Sequence, residues 1–234
     1  MSIEILIPIY KTSISGNELK SLNQCRKVLG IHSKTFIHPE GLDLTFYKES
    51  FPEIKFKAFD STFFNGIAGY NRLLLSPIFY KSFDADYILI YQLDAWVFRD
   101  ELLEWCTKGY DYVGAPNAEK GSGNNSCHDN LLGNNVLNGG LSLRNTKACL
   151  RAAKVHELIF KKRFMGNEDT YFSACYARFF FVRFLLKLPC YEIALKFAIE
   201  KNPREAFNTS KNALPFGCHA YEKYDYQFWK EHGL

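Results

Sequence analysis

Long hydrophobic runs are what this sequence most clearly lacks. No stretch approaches the roughly 18 consecutive apolar residues that a membrane-spanning helix needs. The opening MSIEILIPIY has neither the basic start nor the long apolar centre of a secretory leader, and Pro8 interrupts it. Methionine is scarce, with 2 in 234 residues, and net charge is small, 29 Lys and Arg against 25 Asp and Glu leaving +4. The charges are interspersed, which excludes a nucleic-acid-binding tail. No CxxC or other metal-ligand spacing occurs among the seven cysteines, Cys25, Cys106, Cys127, Cys149, Cys175, Cys190 and Cys218. An odd, unpatterned set in a chain large enough to build a core implies buried thiols in a reducing compartment. The expected location is cytoplasmic, with room for a peripheral contact at the inner face of the membrane.

What is present is a globular composition, 47% apolar and 23% charged, with a heavy aromatic share of 21 Phe, 14 Tyr and 3 Trp. The length favours one domain. Residues 3–9 form a short apolar run and residues 18–29 a helical spacing stopped by Gly30, together a strand–helix unit. Residues 36–38 and 54–59 are expected strands, with a polar segment around 46–52 between them. Residues 65–83 read as a helix that Pro77 must kink or divide. The sequence YILIY at 87–91 is the clearest strand, continuous and apolar like a parallel strand buried on both faces. A short helix over 101–106 and a strand over 111–115 follow. This alternation predicts an α/β domain with a mostly parallel sheet flanked by helices.

Residues 116–138 contain seven Asn and three Gly, a composition for either a disordered segment or a flexible loop that orders over a ligand. Beyond it come an expected strand over 139–144 and helices over 146–157, from 166 to about 179, and over 191–200. Residues 180–188 are apolar enough for a strand, and 221–232 close the chain as an aromatic, charged amphipathic segment.

Three places could carry chemistry. Asp94 lies three residues past the best central strand, where open α/β sheets bind ligands; a turn-capping role is the competing reading. Asn167, Glu168 and Asp169 stand at an expected helix start. There carboxylates commonly cap the helix, but a carboxylate at a pocket rim can also take a proton from an attacking hydroxyl. His219, in PFGCHA, has little bulk around it, unlike His32, His38, His128, His156 and His232. It is either a hydrogen-bonded structural histidine or a ligand for a divalent cation. Spacing alone does not show whether these residues meet.

In this order, IPIY, Gly69-Tyr70-Asn71-Arg72, QLDAWVF, GYDYVGAP, NGGLSLR, NED and PFGCHA resemble the motifs of GT-A glycosyltransferases, and most of all a small glycosyltransferase-like domain family. The resemblance runs from about residue 3 to residue 220. It implies one GT-A-like, Rossmann-like domain, with a nucleotide-binding half over 1–115, the loop 116–138, and an acceptor and catalytic half over 139–234. It also implies a hexosyltransferase-type reaction of polysaccharide biosynthesis. A sugar passes from a nucleoside-diphosphate donor, a UDP-sugar foremost, to a glycan or lipid-linked acceptor, with inversion and with Mn2+ or Mg2+ as cofactor.

Residue by residue, the resemblance makes Asp94 and His219 metal ligands. The first Asp of the family's DxD motif is replaced by Gln92, which is left to hydrogen-bond ribose or a water on the metal. Asp169 is implied as the base, with Glu168 beside it binding donor or acceptor sugar. Asn138, Gly139 and Gly140 would floor the donor sugar, glycine permitting close approach of the ligand. Pro8 and Tyr10 would meet the base, Asn71 and Arg72 base or phosphate, and Trp96 and Asn167 the acceptor, although core packing competes for Trp96. Two other function classes remain compatible with the residues. One is a non-catalytic nucleotide- or sugar-binding domain, the other a metal-dependent phosphoesterase or nucleotidyltransferase. The rings of 176–184 and 221–229 either pack inward or face an acceptor.

Overall fold

The computed structural model of the protein describes residues 1–116, 136–160, 166–175 and 186–234. Its centre is a six-stranded sheet in the order β3-β2-β1-β4-β7-β6. The strands are β1 (Ile3–Pro8), β2 (Ser33–Pro39), β3 (Lys55–Phe59), β4 (Tyr87–Tyr91), β6 (Tyr112–Pro116) and β7 (Leu137–Asn145). A three-stranded sheet joins β5 (Ala95–Val97), β9 (Gly217–His219) and β8 (Ala198–Ile199), with β9 in the middle. Strands β1 to β4 of the large sheet run parallel, and β7 is antiparallel to both β4 and β6.

Alternation along β1 and β4 explains the layers. Ile5, Ile7, Leu89 and Tyr91 are fully buried on one face with Leu22 and Cys25 of the helix Gly16–Val28. Leu6, Ile88 and Ile90 are fully buried on the other, with Leu73, Leu74 and Ala152 of the helices Gly66–Leu74 and Thr146–Val155. Because side chains of a strand alternate between faces, a run that is apolar at every position fits only a sheet covered on both sides. Pro77 divides the expected long helix as its chemistry requires. The first part ends at Leu74, and a second, Pro77–Lys81, begins with Pro77 in the first turn and Ser76 Oγ accepting from the Ile78 amide at 3.3 Å.

Several expectations need correction. The polar segment around 46–52 contains a helix, Thr45–Ser50. Gly139 and Gly140 lie inside a strand, as expected over 139–144, but that strand, β7, begins two residues earlier, at Leu137. The helix expected over 191–200 stops at Phe197, and the chain enters β8. Residues 186–190 are not a strand; the rest of that expected strand, the rings of 176–184 and nearly all of the Asn- and Gly-rich segment lie outside the described residues. In the C-terminal segment the rings of Tyr221, Phe228 and Trp229 are buried, so these three serve packing. Burial pushes the thiols of Cys25, Cys106 and Cys149 up to about 12, as inert core cysteines should be. Among the described residues no helix is long and apolar enough to cross a membrane.

Candidate active site

A cleft of about 930 Å3 lies where the C-terminal ends of β1 and β4 meet the start of β7, the place at which open α/β sheets bind ligands. Pro8, Tyr10, Asn71, Gln92, Asp94, Asn138, Gly139 and Gly140 line it, together with Asn167, Glu168, Asp169 and His219. Arg72 and Trp96 do not. Arg72 is exposed and donates from Nη2 to the Thr62 carbonyl at 3.0 Å. Trp96 sits between Ala95 and Val97 on β5 and therefore points to the opposite face, where its ring meets Tyr221 edge-on at 6.0 Å. Its expected contact with an acceptor gives way to packing.

The small sheet brings the first two candidates together. Ala95 on β5 pairs with His219 on β9, so the residue before Ala95 emerges beside the imidazole. Asp94 Oδ1 is 3.1 Å from His219 Nε2, and Gln92 Oε1 is 3.2 Å from the same nitrogen. Oδ1 is buried without a hydrogen-bond partner among the described residues, whereas 48% of the Asp94 side chain remains exposed. On the other side of the ring, Glu200 Oε1 lies 3.6 Å from Nδ1, an ion-pair distance beyond hydrogen-bond reach. Burial opposes charge on His219, but Asp94 and Glu200 more than offset it and raise the imidazole to about 9. Asp94 is held below its ordinary value, the burial cost being outweighed by His219 and by the charge of Lys223.

These groups fit a divalent cation. Ligands about 2.1 Å from an octahedral ion stand roughly 3 Å apart along an edge, and the two separations at Nε2 are 3.1 and 3.2 Å. The buried Oδ1, which makes no hydrogen bond among the described residues beside its ion pair with His219, is the second sign of fit. Among the described residues no group of three or more His, Cys, Asp or Glu side chains forms a cage for a metal. A cation at this pair would therefore complete its shell with oxygens from water and ligand.

The two glycines of NGGLSLR explain how the site closes. A Cβ on Gly140 would lie 2.0 Å from His219 Nε2, and one on Gly139 would lie 2.1 Å from Glu168 Oε1. Both side chains thus rest directly on the β7 backbone, which is fixed by pairing on both sides. Gly140→Ala must displace the imidazole. Overpacking of this kind costs roughly 1–3 kcal/mol, so differential scanning calorimetry should find Tm lower by about 3–10 °C, and an unchanged Tm would contradict the packing described.

Glu168 is buried and its Oε1 accepts from Arg144 Nη2 at 2.8 Å. Arg144 is itself fully buried, donating also to Tyr80 Oη at 3.1 Å and Ser142 Oγ at 2.9 Å, with its guanidinium 5.0 Å from the centre of the Tyr112 ring. Asn71 fixes the same turn: its amide donates to Asn167 Oδ1 at 3.0 Å and its Oδ1 accepts from the Glu168 amide at 3.1 Å. Asp169 lines the cleft with Oδ1 accepting from the Thr170 amide. Burial, then the neighbouring Glu168 charge, raises Asp169 to about 6, within the range of a general base near neutral pH.

Sequence reasoning missed Arg144, Glu200, Tyr70 and Lys223. A lone arginine among the apolar residues of β7 was a usable signal, since a buried charge needs a partner. Lys223 lines the cleft beside Asp94. Tyr70 lines it with a buried hydroxyl that has no hydrogen-bond partner among the described residues. Tyr10, 62% exposed, stands at the mouth.

Residues 53–219 match the family described as "Protein of unknown function (DUF5672)", and the chain belongs to that family. No curated protein matches the sequence. Among solved structures, the chain is similar to the galactosyltransferase LgtC in complex with donor and acceptor sugar analogues, at 12% identity and a TM-score of 0.52 over 92% of this chain and 86% of that one. It is also similar to mouse xyloside xylosyltransferase 1 in its apo form, at 11% identity and a TM-score of 0.56 over 94% of this chain and 97% of that one. At these identities the likeness establishes the fold, which is that of the GT-A glycosyltransferases.

Proposed function

We propose that the protein is a metal-assisted, inverting glycosyltransferase. It takes a nucleoside-diphosphate sugar, a UDP-sugar first, and a glycan or lipid-linked acceptor. The observation that carries this reading is the 3.1 Å approach of Asp94 Oδ1 to His219 Nε2 in a cleft that also holds Asp169. Asp94 and His219 would hold Mn2+ or Mg2+. Bound there, the cation offsets the negative charge that grows on the diphosphate as the sugar departs.

The remaining work falls to the chain itself. Lys223 adds a second positive charge on the diphosphate side. Residues 1–115 supply the donor half, with Tyr10 stacking on the base at the mouth. Gly139 and Gly140 do not floor the sugar directly; they let Glu168 and His219 seat against the β7 backbone at the base of the cleft. Asp169 accepts the proton of the attacking hydroxyl, and the Arg144-anchored Glu168 binds a sugar hydroxyl while keeping Asp169 basic.

A thermal-shift comparison of nucleoside diphosphates with and without Mn2+ tests the reading. A ligand present at about 100 times its Kd stabilises the native state by roughly 2.7 kcal/mol, or about 5–10 °C for a chain of this size. A shift that needs both nucleotide and Mn2+ is expected, and its absence across all common nucleoside diphosphates would refute the assignment. Product analysis separates transfer from phosphoester cleavage, since a nucleoside monophosphate product would mean that the diphosphate itself is cut.

A further inference from the structure

Glu200 is a buried carboxylate, 9% exposed, at the end of a two-residue strand. Burying a carboxylate costs several kcal/mol unless a partner compensates. Among the described residues its ion pair is with His219, at 3.6 Å from Nδ1. The register of the small sheet accounts for the encounter. Ala198 and Ile199 of β8 pair in parallel with Gly217 and Cys218 of β9, so the next residues on the two strands, Glu200 and His219, come side by side. Ala95 flanks His219 from the opposite strand. The imidazole therefore stands between two carboxylates, Asp94 facing Nε2 in the cleft and Glu200 facing Nδ1 behind it. The turn beyond Glu200, with Asn202 at φ 49° and Pro203 opening the next helix, ends the strand there.

A histidine that ligates a metal must offer a bare ring nitrogen, and the proton on the other nitrogen is commonly held by a carboxylate that fixes tautomer and ring orientation. We propose that Glu200 is a positioning residue: when a cation takes Nε2, the ring proton must sit on the buried Nδ1, and Glu200, an ion-pair partner 3.6 Å away, is placed to draw in and accept it. This rests on the reading of Asp94 and His219 as metal ligands. The signature lies in the arrangement of the sheet. Its central strand presents one imidazole, and each edge strand delivers one carboxylate to one of the two ring nitrogens.

The test uses Mn2+ alone, titrated into the full chain with free ion read by electron paramagnetic resonance. Imidazole nitrogen NMR of His219 in the presence of Mg2+ provides the second readout. Glu200→Leu, which fills the volume but accepts no hydrogen bond, should weaken Mn2+ binding by roughly 10–100-fold and give His219 a mixture of tautomers. Glu200→Gln keeps an acceptor oxygen, so it should preserve the Nδ1-protonated ring and lose only a few-fold in affinity. Asp94→Ala is the control. If Asp94→Ala loses Mn2+ while Glu200→Leu binds it like the wild type with an unchanged His219 spectrum, the role of Glu200 is overturned and the metal site stands. If Asp94→Ala binds Mn2+ as well as the wild type, the metal site falls and Glu200 with it. Should Glu200→Leu fail to fold, Glu200→Gln with both affinity and spectrum identical to wild type overturns the role by itself.

Discussion

Replacing Asp94 with alanine is expected to lower kcat/KM for sugar transfer by about 10³-fold or more, the scale on which single groups that stabilise developing charge act. Mn2+-dependent nucleotide binding should disappear with it. The fold should survive, because nearly half of the side chain faces the cleft and Glu200 remains beside the buried imidazole. The change should nevertheless register on His219. An imidazole raised to about 9 by its carboxylates contributes stability that is fully present below its unfolded value near 6.5 and is lost as pH rises through about 9. Removing Asp94 shrinks that contribution. The stability gap between wild type and variant should be widest at mildly acidic pH and should close above pH 9, as calorimetry across that range would show. A variant that retains wild-type turnover would end the metal-assisted reading, whatever its stability.

The pieces that were readable in the sequence are those set by local chemistry. The run Tyr87–Tyr91 is apolar on both alternating faces because both faces are covered. Pro77 cannot sit inside a helix, so the helix divides there. Asp94 could be picked out because a carboxylate just past a buried central strand is exposed at a defined end of the sheet. What escaped is whatever depends on distant segments meeting. Strand β8 has two residues and β5 and β9 three each, too short for any periodicity to appear. Such strands exist because tertiary packing overrides propensity. Glu200 was therefore assigned to a helix, and its position behind His219 was invisible.

The same reasoning explains the two glycines and Trp96. A Gly pair at the start of an expected strand reads locally as backbone left open to a ligand. Its actual reason is non-local: the imidazole of His219 and the carboxylate of Glu168 occupy the space a Cβ would take. For Trp96 the signal was available and points the other way. Two residues along a strand from Ala95 or Val97 returns to the same face, whereas one residue changes it. Trp96 is therefore opposed to the small, fully buried neighbours that pack with the central core. The local pattern thus predicts which face a residue takes, and the site emerges only where several such faces converge.

Asp169→Asn should behave in a way that no metal-site variant does. The carboxyl of Asp169 is raised to about 6 by burial and by Glu168. If it is the base, kcat/KM in the wild type should rise through about pH 6 as Asp169 loses its proton. The Asn variant should lack that limb and be slower by about 10²–10⁴-fold, with donor binding near normal. Stability supplies an independent sign. A carboxyl raised above its unfolded value favours the native state below about pH 4 and loses that contribution as pH rises through about 6, so in the wild type ionised Asp169 is a liability at neutral pH. The neutral Asn should be more stable than wild type at pH 7–8 by about 1–2 kcal/mol, less than the full shift because the side chain is partly exposed. The difference should vanish near pH 4. Glu168→Gln tests the other half of the pair. It leaves buried Arg144 without its carboxylate, which costs stability by about 3 kcal/mol or more. It also removes one of the two forces on Asp169, so the acid limb of kcat/KM should move below pH 6. If Asp169→Asn retained the limb, or if Glu168→Gln left it unmoved, the proton would have to go elsewhere in the cleft.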